Sequence, residues 1–299
     1  MPGQFLTAGE NGTCMLSSDG ISWKKVRSGK PGEVFSCSSV GGGRGVTSAR
    51  FGGKNSFTAS NDGNTWTDSE YNAKYSQYVR GLFYHKDQFY AVGGDGKCFV
   101  MTSPDGVTWS APQPFSGKHM LRRFAVGGGK VVGVGDYGRR AISSDGLTWE
   151  DTPDARPVDT CIDVAFGNGV FAGGGLHGLR MSSRDGLRWE HRQIGEEGEH
   201  INAMLWDGQR FAGIGLGASY FSTDGIHWDR HPNTNAPTRA VFGHGIFVGS
   251  RYRGRLLHSS DGIIWREQTK VPTNMGTLSF GQIGMADQEH GDDTRPERP

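Results

Sequence analysis

Arginine and tyrosine are the residues whose types and spacing most clearly suggest chemistry in this 299-residue sequence. They concentrate in two short segments, Asp136-Tyr137-Gly138-Arg139-Arg140 and Arg251-Tyr252-Arg253-Gly254-Arg255. An arginine guanidinium binds a carboxylate or a phosphate through two parallel hydrogen bonds, and a tyrosine adds a flat ring and a hydroxyl group. The two segments therefore predict a site for an anionic ligand, unless neighbouring carboxylates neutralise their arginines.

A few other side chains could support catalysis beside these arginines. A neutral histidine or tyrosine can take a proton next to a carboxylate that an arginine neutralises, which makes His177 with Tyr220 or Tyr252 the candidate base of a polysaccharide lyase. A glycosidase would instead need two carboxylates that face one cleft. The carboxylates available for that role are Asp95, Asp136 and Asp163. A histidine exposed on a loop is usually inert, so the sequence favours a protein without catalysis and leaves an enzyme as the alternative.

Composition and motifs argue against several other classes of function. The formal net charge is +1, so nothing global indicates nucleic-acid binding, and no apolar run is long enough for direct insertion into a membrane. There is no Cys-x-x-Cys, no calcium loop and no phosphate-binding glycine loop, so the sequence predicts neither a metal nor a cofactor. We expect the four cysteines to be free thiols. No signal peptide precedes the first predicted strand, which indicates a cytoplasmic protein, or a periplasmic or secreted one if a leader was removed.

Any such site must be positioned by a short segment, Ser-x-Asp-Gly-x-x-Trp, which occurs seven times. Its aspartates stand 43, 43, 40, 40, 39 and 37 residues apart. A period of about forty residues indicates a repeat fold with one supersecondary unit in each period. The aspartates are Asp19, Asp62, Asp105, Asp145, Asp185, Asp224 and Asp261. The tryptophans are Trp23, Trp66, Trp109, Trp149, Trp189, Trp228 and Trp265.

This segment, named the Asp-Gly clasp here, predicts a tight turn between two strands. Glycine adopts a positive φ at little cost, and the serine and aspartate side chains can bond backbone N–H groups across the turn. The tryptophan opens the next strand and offers a large apolar face for packing. Seven equivalent aspartates indicate a structural role, since a single active site does not need seven copies.

Each repeat has the pattern of four antiparallel strands. One clear example is the series Ile162-Asp163-Val164-Ala165-Phe166, Val170-Phe171-Ala172-Gly173-Gly174, Leu179-Arg180-Met181-Ser182 and Arg188-Trp189-Glu190-His191-Arg192. The pattern predicts an all-β fold, a seven-bladed β-propeller of four-stranded antiparallel blades. The segment over 276–282 would supply the missing first strand of the N-terminal blade and close the ring. We expect one propeller domain over residues 1–285 and a disordered tail over 286–299.

The clasp, following strands such as Val131-Val132-Gly133-Val134-Gly135, resembles the Asp-box (BNR) repeat of sialidase-like propellers. The resemblance covers residues 5–285 and implies the propeller fold. It does not imply one function, because Asp-box proteins include sialidases, other glycosidases, lectins and sorting receptors. The sequence pattern of the repeats is most similar to that of the photosystem II assembly/stability factor family and its bacterial relatives. Sialidases carry an Arg-Ile-Pro element, which is absent here.

Propellers of this kind bind ligands at one face, over the central channel, where the loops between second and third strands meet the loops between blades. Aligning the repeats places one inner position at Ser38, Gly81, Arg123, Asp163, Ala203, Arg239 and Thr277. The ligand-binding residues predicted on this face are Arg80, Arg122, Arg123, Arg239, Tyr137, Arg139, Arg251, Tyr252 and Arg253.

These residues predict a non-catalytic binding or assembly module that holds an acidic protein partner or stabilises a larger protein complex. The alternative is a carbohydrate-active protein that acts on an acidic glycan, as a lectin, a polysaccharide lyase or a glycosidase. Because the inner positions differ from blade to blade, the sequence counts against several equivalent sugar sites.

Overall fold

Strands form nearly all of the regular structure in the computed structural model of the protein, which describes residues 2–51, 54–71, 78–94 and 97–284. Seven antiparallel sheets stand in a ring, and the helical content of the described residues is two short 3-10 turns, Asp136–Gly138 and Pro157–Asp159. The predicted seven-bladed β-propeller is therefore confirmed. The expected tail over 286–299 and the candidate Asp95 lie outside the described residues.

The strands fall into seven blades. Blade 1 contains β1 (Gln4–Ala8), β2 (Cys14–Ser17) and β3 (Lys24–Arg27). Blade 2 contains β4 (Val34–Gly41), β5 (Arg44–Phe51), β6 (Lys54–Ser60) and β7 (Thr67–Tyr71). Blade 3 contains β8 (Val79–His85), β9 (Gln88–Gly94), β10 (Cys98–Ser103) and β11 (Gln113–Phe115). Blade 4 contains β12 (Leu121–Gly127), β13 (Lys130–Gly135), β14 (Arg140–Ser143) and β15 (Glu150–Asp151). Blade 5 contains β16 (Cys161–Gly167), β17 (Val170–Gly175), β18 (Arg180–Ser183) and β19 (Glu190–Gln193). Blade 6 contains β20 (His200–Trp206), β21 (Phe211–Ser222) and β22 (Asp229–Asn233). Blade 7 contains β23 (Arg239–Gly243), β24 (Ile246–Arg251), β25 (Arg255–Ser259) and β26 (Arg266–Lys270). The last strand, β27 (Ser279–Gly281), returns to blade 1 and pairs with β1.

The second and third strands of blade 6 run together as the single element β21. The half before Gly217 pairs with β20, and the half that begins at Gly217 pairs with β22. Gly217 has a φ of +84°, which lets the chain reverse there. Tyr220 consequently lies within a strand and not in a loop between the second and third strands.

The first strand of each blade faces the centre of the ring. β4 contacts β8, and the series continues through β12, β16, β20 and β23 to β27, which contacts β4 again. This unbroken circuit of inner strands forms the wall of a central channel and presents their first residues at one end of the propeller, which we call the upper end.

Pairing between β27 and β1 closes the ring. Phe280 lies opposite Phe5, and Thr7 Oγ1 donates a hydrogen bond to the Thr277 carbonyl at 2.7 Å. Ala8 N donates to Thr277 Oγ1 at 2.9 Å. The closing strand predicted over 276–282 is confirmed, and regular pairing within it begins at Ser279. Closure removes the two sheet edges that an open ring would expose.

Each Asp-Gly clasp is held by its serine and aspartate side chains. In the fourth copy, Ser143 Oγ donates to Asp145 Oδ1 at 2.9 Å and accepts from Gly146 N at 2.8 Å. Asp145 Oδ1 also accepts from Leu147 N and Thr148 N, both at 2.8 Å. The serine–aspartate and glycine–serine bonds recur in all seven copies. The clasps are therefore structural turns, as predicted.

The clasp tryptophans join neighbouring blades. Trp149 is 7% exposed, its Nε1 donates to the Gly146 carbonyl at 3.2 Å, and its ring meets that of Phe83 in blade 3 edge-on. Trp109 stacks on Phe57 of blade 2 with 4.0 Å between ring centroids. Burial of such large apolar faces between blades supplies much of the free energy that holds a propeller together.

The four cysteines are buried and free, as predicted. Burial raises the pKa of Cys14 and of Cys161 to about 12, although nearby arginine charges lower it. Because the thiolate is the reactive form, these two thiols act as small apolar groups of the core.

We expect Trp149→Ala to lower the free energy of unfolding by about 3–5 kcal/mol, because it leaves a cavity between blades 3 and 4. Urea unfolding followed by far-ultraviolet circular dichroism would measure the loss. Leu147→Ala, in the same clasp but 36% exposed, is the matched control and should change stability far less. Equal losses for the two variants would contradict the assigned role.

We also expect the clasps to make the protein acid-sensitive in a defined range. The backbone N–H groups of Thr65 and Asn64 lower the pKa of Asp62 to about 2. A lowered folded-state pKa stabilises the fold above the unfolded value and loses that contribution as pH falls, here from about 4 to about 2. Asp62→Asn should therefore be less stable than the native chain at pH 6 and approach it near pH 2. A difference that stays constant across this range would exclude the charge as its source.

Candidate functional site

A cavity of about 1120 Å³ opens at the upper end of the ring. It is lined by the first residues of the inner strands and by the loops around them. Below it, a second cavity of about 250 Å³ continues into the channel between the inner strands. A wide upper chamber over a narrow lower one is the usual shape of a ligand-binding region on a propeller.

A β-bulge at the start of five of the seven inner strands aims a side chain into the upper cavity. In β12 the pairing with β13 shifts between Leu121 and Arg123, so Arg122 has no cross-strand partner and turns into the cavity beside Arg123. The same shift occurs in four other blades. The bulged residues of these five blades, all of which line the cavity, are Ser36, Arg80, Arg122, Ile162 and Asn202. Bulges re-aim side chains in this way at functional sites.

The register of the bulges corrects the alignment made from the sequence. In blade 2, Cys37 pairs with Ser48 in the same way that Arg123 pairs with Val134 in blade 4. Cys37 therefore occupies the inner position that the sequence alignment assigned to Ser38. The hairpin turns of the two blades, at Gly42-Gly43 and Gly128-Gly129, are equivalent in the structure, and matching them would have given the right register. Ser38 lies one residue further along, where its Oγ is 2.6 Å from Ser279 Oγ.

Positive charge dominates the described lining of the upper cavity. Its arginines are Arg50, Arg80, Arg122, Arg123, Arg239 and Arg251, contributed by blades 2, 3, 4 and 7. The carboxylate among the described lining residues is Asp136, which accepts hydrogen bonds from Nε and Nη2 of Arg122, the second at 2.7 Å. One ion pair therefore offsets one of these charges and leaves the cavity strongly cationic.

Tyr78 orders two of the arginines. The guanidinium carbon of Arg50 lies 3.9 Å from the centre of the Tyr78 ring, and that of Arg80 lies 5.0 Å from it. Contact with an aromatic face fixes a guanidinium plane while leaving its N–H edge available. Arg80 Nε is buried and has no hydrogen-bond partner among the described residues. This donor suits an incoming anion.

Asp163 lies in the wall of the lower cavity. Its Oδ1 accepts from Val164 N and its Oδ2 accepts from Met204 N, each at 3.0 Å. Burial raises the pKa of Asp163 to about 6, although the charge of Arg123 and the two backbone donors lower it. The raised pKa disfavours the charged form of this carboxyl group, and Arg123 is close enough for its charge to oppose that effect.

The structure brings together part of the predicted site. Among the predicted ligand-binding residues, those that line the upper cavity are Arg80, Arg122, Arg123, Arg239, Arg251 and Tyr252. Tyr137 and Arg253 lie outside the lining, Tyr137 against the ring of His119 and Arg253 at an exposed turn with a φ of +67°. Arg139 is buried, and it bonds Asp151 and the Ser116 carbonyl, each at 2.8 Å. Its side chain therefore serves packing between blades 3 and 4.

The candidate catalytic residues converge in part. Tyr252 and Asp136 line the upper cavity and Asp163 the lower one, whereas His177 and Tyr220 line neither. Tyr220 is 2% exposed, its hydroxyl donates to Glu199 Oε2, and its ring carries the guanidinium of Arg180 at 3.8 Å. The predicted combination of His177 with Tyr220 or Tyr252 is therefore not assembled, and Tyr252 is the member of it that lies in the same lining as the arginines.

Sequence reasoning missed Arg50 and Tyr78. Arg50 pairs with Val34 near the end of β5 and occupies the position that Asp136 and Tyr252 occupy in their own blades. An alignment of the repeats in the right register would therefore have identified it. Tyr78 directly precedes β8, and only the three-dimensional contact with Arg50 and Arg80 shows its role.

The described residues contain no group of three or more histidine, cysteine or acidic side chains placed to hold a metal ion. Within the same part of the chain, no helix is long and apolar enough to cross a bilayer. The polar groups that line the upper cavity are guanidinium, phenol, hydroxyl and amide groups, with the carboxylate of Asp136 and the thiol of Cys161.

Comparison with solved structures identifies other propellers of the same fold. YCF48 bound to D1 peptide matches with a TM-score of 0.62 and 15% identity, over 91% of this chain and 90% of that one. The computationally designed Ika8 protein matches with a TM-score of 0.65 and 12% identity, over 91% and 86%. YCF48 from Cyanidioschyzon merolae matches with a TM-score of 0.57 and 15% identity, over 82% and 87%. No protein-family model and no curated protein sequence matches the chain.

We expect Asp163 to give stability an opposite pH dependence from that of the clasps. A folded-state pKa raised from 3.8 to about 6 favours the folded state at low pH, and this contribution disappears as pH rises from about 4 to about 6. The native chain should lose up to ~3 kcal/mol relative to Asp163→Asn over that range. Urea unfolding of both proteins at several pH values measures the difference. A difference that is flat between pH 4 and pH 7 would show that Asp163 ionises normally.

Proposed function

We propose that the protein is a non-catalytic binding module that holds an acidic segment of a partner protein in the upper cavity, as part of a larger complex. The observation that carries the proposal is the arginine lining, in which one of the six described guanidiniums is paired with a carboxylate that also lines the cavity. Gathering like charges in one cavity costs stability, and an anionic ligand offsets that cost.

The geometry supports binding rather than catalysis. Asp136 is engaged by Arg122, and Asp163 is held by two backbone N–H groups in the lower cavity. The described lining contains no histidine. A base and an acid placed around one bond, which an enzyme needs, are therefore not assembled by the described lining residues.

A structural neighbour agrees with the proposed class of partner, since YCF48 binds a D1 peptide. We propose further that the Asp-Gly clasps are Asp boxes, because the bonding of serine, aspartate and glycine repeats in every blade. This assignment concerns the scaffold, and it is compatible with peptide binding and with glycan binding.

We expect Arg80→Gln combined with Arg239→Gln to weaken the binding of an acidic peptide by roughly a hundredfold or more, because each charged hydrogen bond contributes about 1.5–3 kcal/mol and the double variant loses two. The probe is a fluorescein-labelled peptide of alternating glutamate and serine, and fluorescence anisotropy gives its Kd. Neither arginine has an ion-pair partner among the described residues, so the melting temperature should stay nearly unchanged.

Arg184→Gln, at an exposed arginine of a clasp far from the cavity, is the matched control and should bind like the native chain. A peptide of alternating glutamine and serine tests the requirement for charge. Equal binding by the native chain and the double variant would refute the assignment of the site. Binding of polygalacturonate or heparin without binding of the acidic peptide would replace the protein partner with an acidic glycan.

A further inference from the structure

Exposed apolar side chains occur at the upper end of blades 5 and 6, outside the described lining of the cavity. Val158 is 65% exposed, Leu176 37%, Ile194 56% and Leu216 49%. Val158 precedes β16, Ile194 precedes β20, Leu176 directly follows β17, and Leu216 ends the half of β21 that pairs with β20. All four therefore belong to the upper end of the ring. We call these four residues the apolar sector.

Backbone contacts draw the members of the apolar sector together. Leu176 forms a β-bridge with His200, which itself pairs with Leu216, so the two leucines flank one residue. Gly195 N donates to the His177 carbonyl at 2.8 Å, which brings Ile194 alongside the turn that follows Leu176. These backbone contacts bring Leu176, Ile194 and Leu216 of two adjacent blades close to one another.

Three arginines near the apolar sector form ion pairs with carboxylates, although two of them share one carboxylate. Arg156 and Arg192 both donate to the buried carboxylate of Asp159, at 2.6 Å and 2.5 Å. Arg230 donates to Glu199 at 2.6 Å and to Glu196 at 2.8 Å. The cavity residues that blades 5 and 6 contribute, Thr160, Cys161, Ile162 and Asn202, carry no charge in their ordinary states.

The arginines of the cavity come from other blades than the apolar sector. Blades 2, 3, 4 and 7 supply all six described guanidiniums, which we call the arginine sector, and blades 4 and 7 adjoin blades 5 and 6. Val34, Phe51, Tyr137 and Tyr252 are exposed there too, interspersed with the arginines.

We propose that the apolar sector receives aliphatic side chains of the same partner segment whose carboxylates bind the arginine sector. The partner is then a protein segment in which a cluster of acidic residues and a cluster of aliphatic residues are separated along the chain. This inference rests on the proposed function and adds the order of residues in the ligand. Exposed apolar patches mark interaction surfaces, and the charge of the arginine sector sets the orientation of the bound segment.

The divided surface distinguishes a peptide from an acidic polysaccharide. A polyuronate or sulfated glycan repeats its charge along the whole chain and has no aliphatic side chains to cover leucine and isoleucine. Such a ligand would satisfy the arginine sector and leave the apolar sector exposed. A segment with both kinds of side chain buries the apolar sector and gains affinity from it.

The experiment compares two fluorescein-labelled peptides on the full chain. One has glutamates at one end and leucines at the other, and the second has serines in place of the leucines. We expect the leucine peptide to bind the native protein about tenfold more tightly, since two half-exposed leucines of the protein become covered. Leu176→Ser combined with Leu216→Ser should abolish this gain without changing the affinity for the serine peptide.

Ile264→Ser is the matched control, because Ile264 is 64% exposed but belongs to the last Asp-Gly clasp. It should preserve the gain, and thermal melting verifies that each variant is folded. Equal affinity of the native chain for both peptides, or a gain that survives in the leucine double variant, would overturn the inference. If Arg80→Gln with Arg239→Gln still weakens both peptides in that case, the proposed function stands alone. If neither peptide binds the native chain, the proposed function fails and the inference falls with it.

Discussion

The pairing of β27 with β1 is the interaction on which the rest of the structure depends. It completes the circuit of inner strands and gives blade 1 its innermost strand. Each clasp packs against the preceding blade, so the clasp of blade 1 finds its partner in blade 7 only when the ring is closed, as the close approach of Gly20 to Val248 shows. The cavity depends on the same closure, because its arginines come from blades on both sides of blade 1.

Local irregularity on a regular scaffold creates the candidate site. Hairpins and clasps repeat the same bonding around the ring, whereas the bulges of five blades each free one residue from the ladder and turn it into the cavity. The side chain at that position can vary without changing the blade, since it makes no cross-strand pair. Two of the six described arginines, Arg80 and Arg122, stand at such bulges, and the other four occupy strand positions that line the same cavity.

Much of the fold could be predicted from the sequence because its determinants are local. The clasp bonds join residues at most three positions apart, so Ser143, Asp145 and Gly146 specify their turn without help from the rest of the chain. The site could be predicted only in part, because the bulges depend on how two strands pair. For this reason Arg50 was not predicted as a site residue, and Ser38 was assigned to the inner position that Cys37 occupies. Arg139 stands next to predicted site residues in the sequence, but alternation along the chain directs it into the interface with Cys98 and Ser116.

The scattered origin of the arginines has a mechanical consequence. A bound segment that touches blades 2, 3, 4 and 7 at once would act as a tie across the mouth of the ring, since the blades could separate only after its contacts broke. Binding would then be thermodynamically linked to closure, and the occupied ring would resist opening and proteolysis more than the empty one. Such a tie would reinforce the seam inside blade 1, which is otherwise held by the bonds between Thr7, Ala8 and Thr277 and by the packing of Phe5 on Phe280.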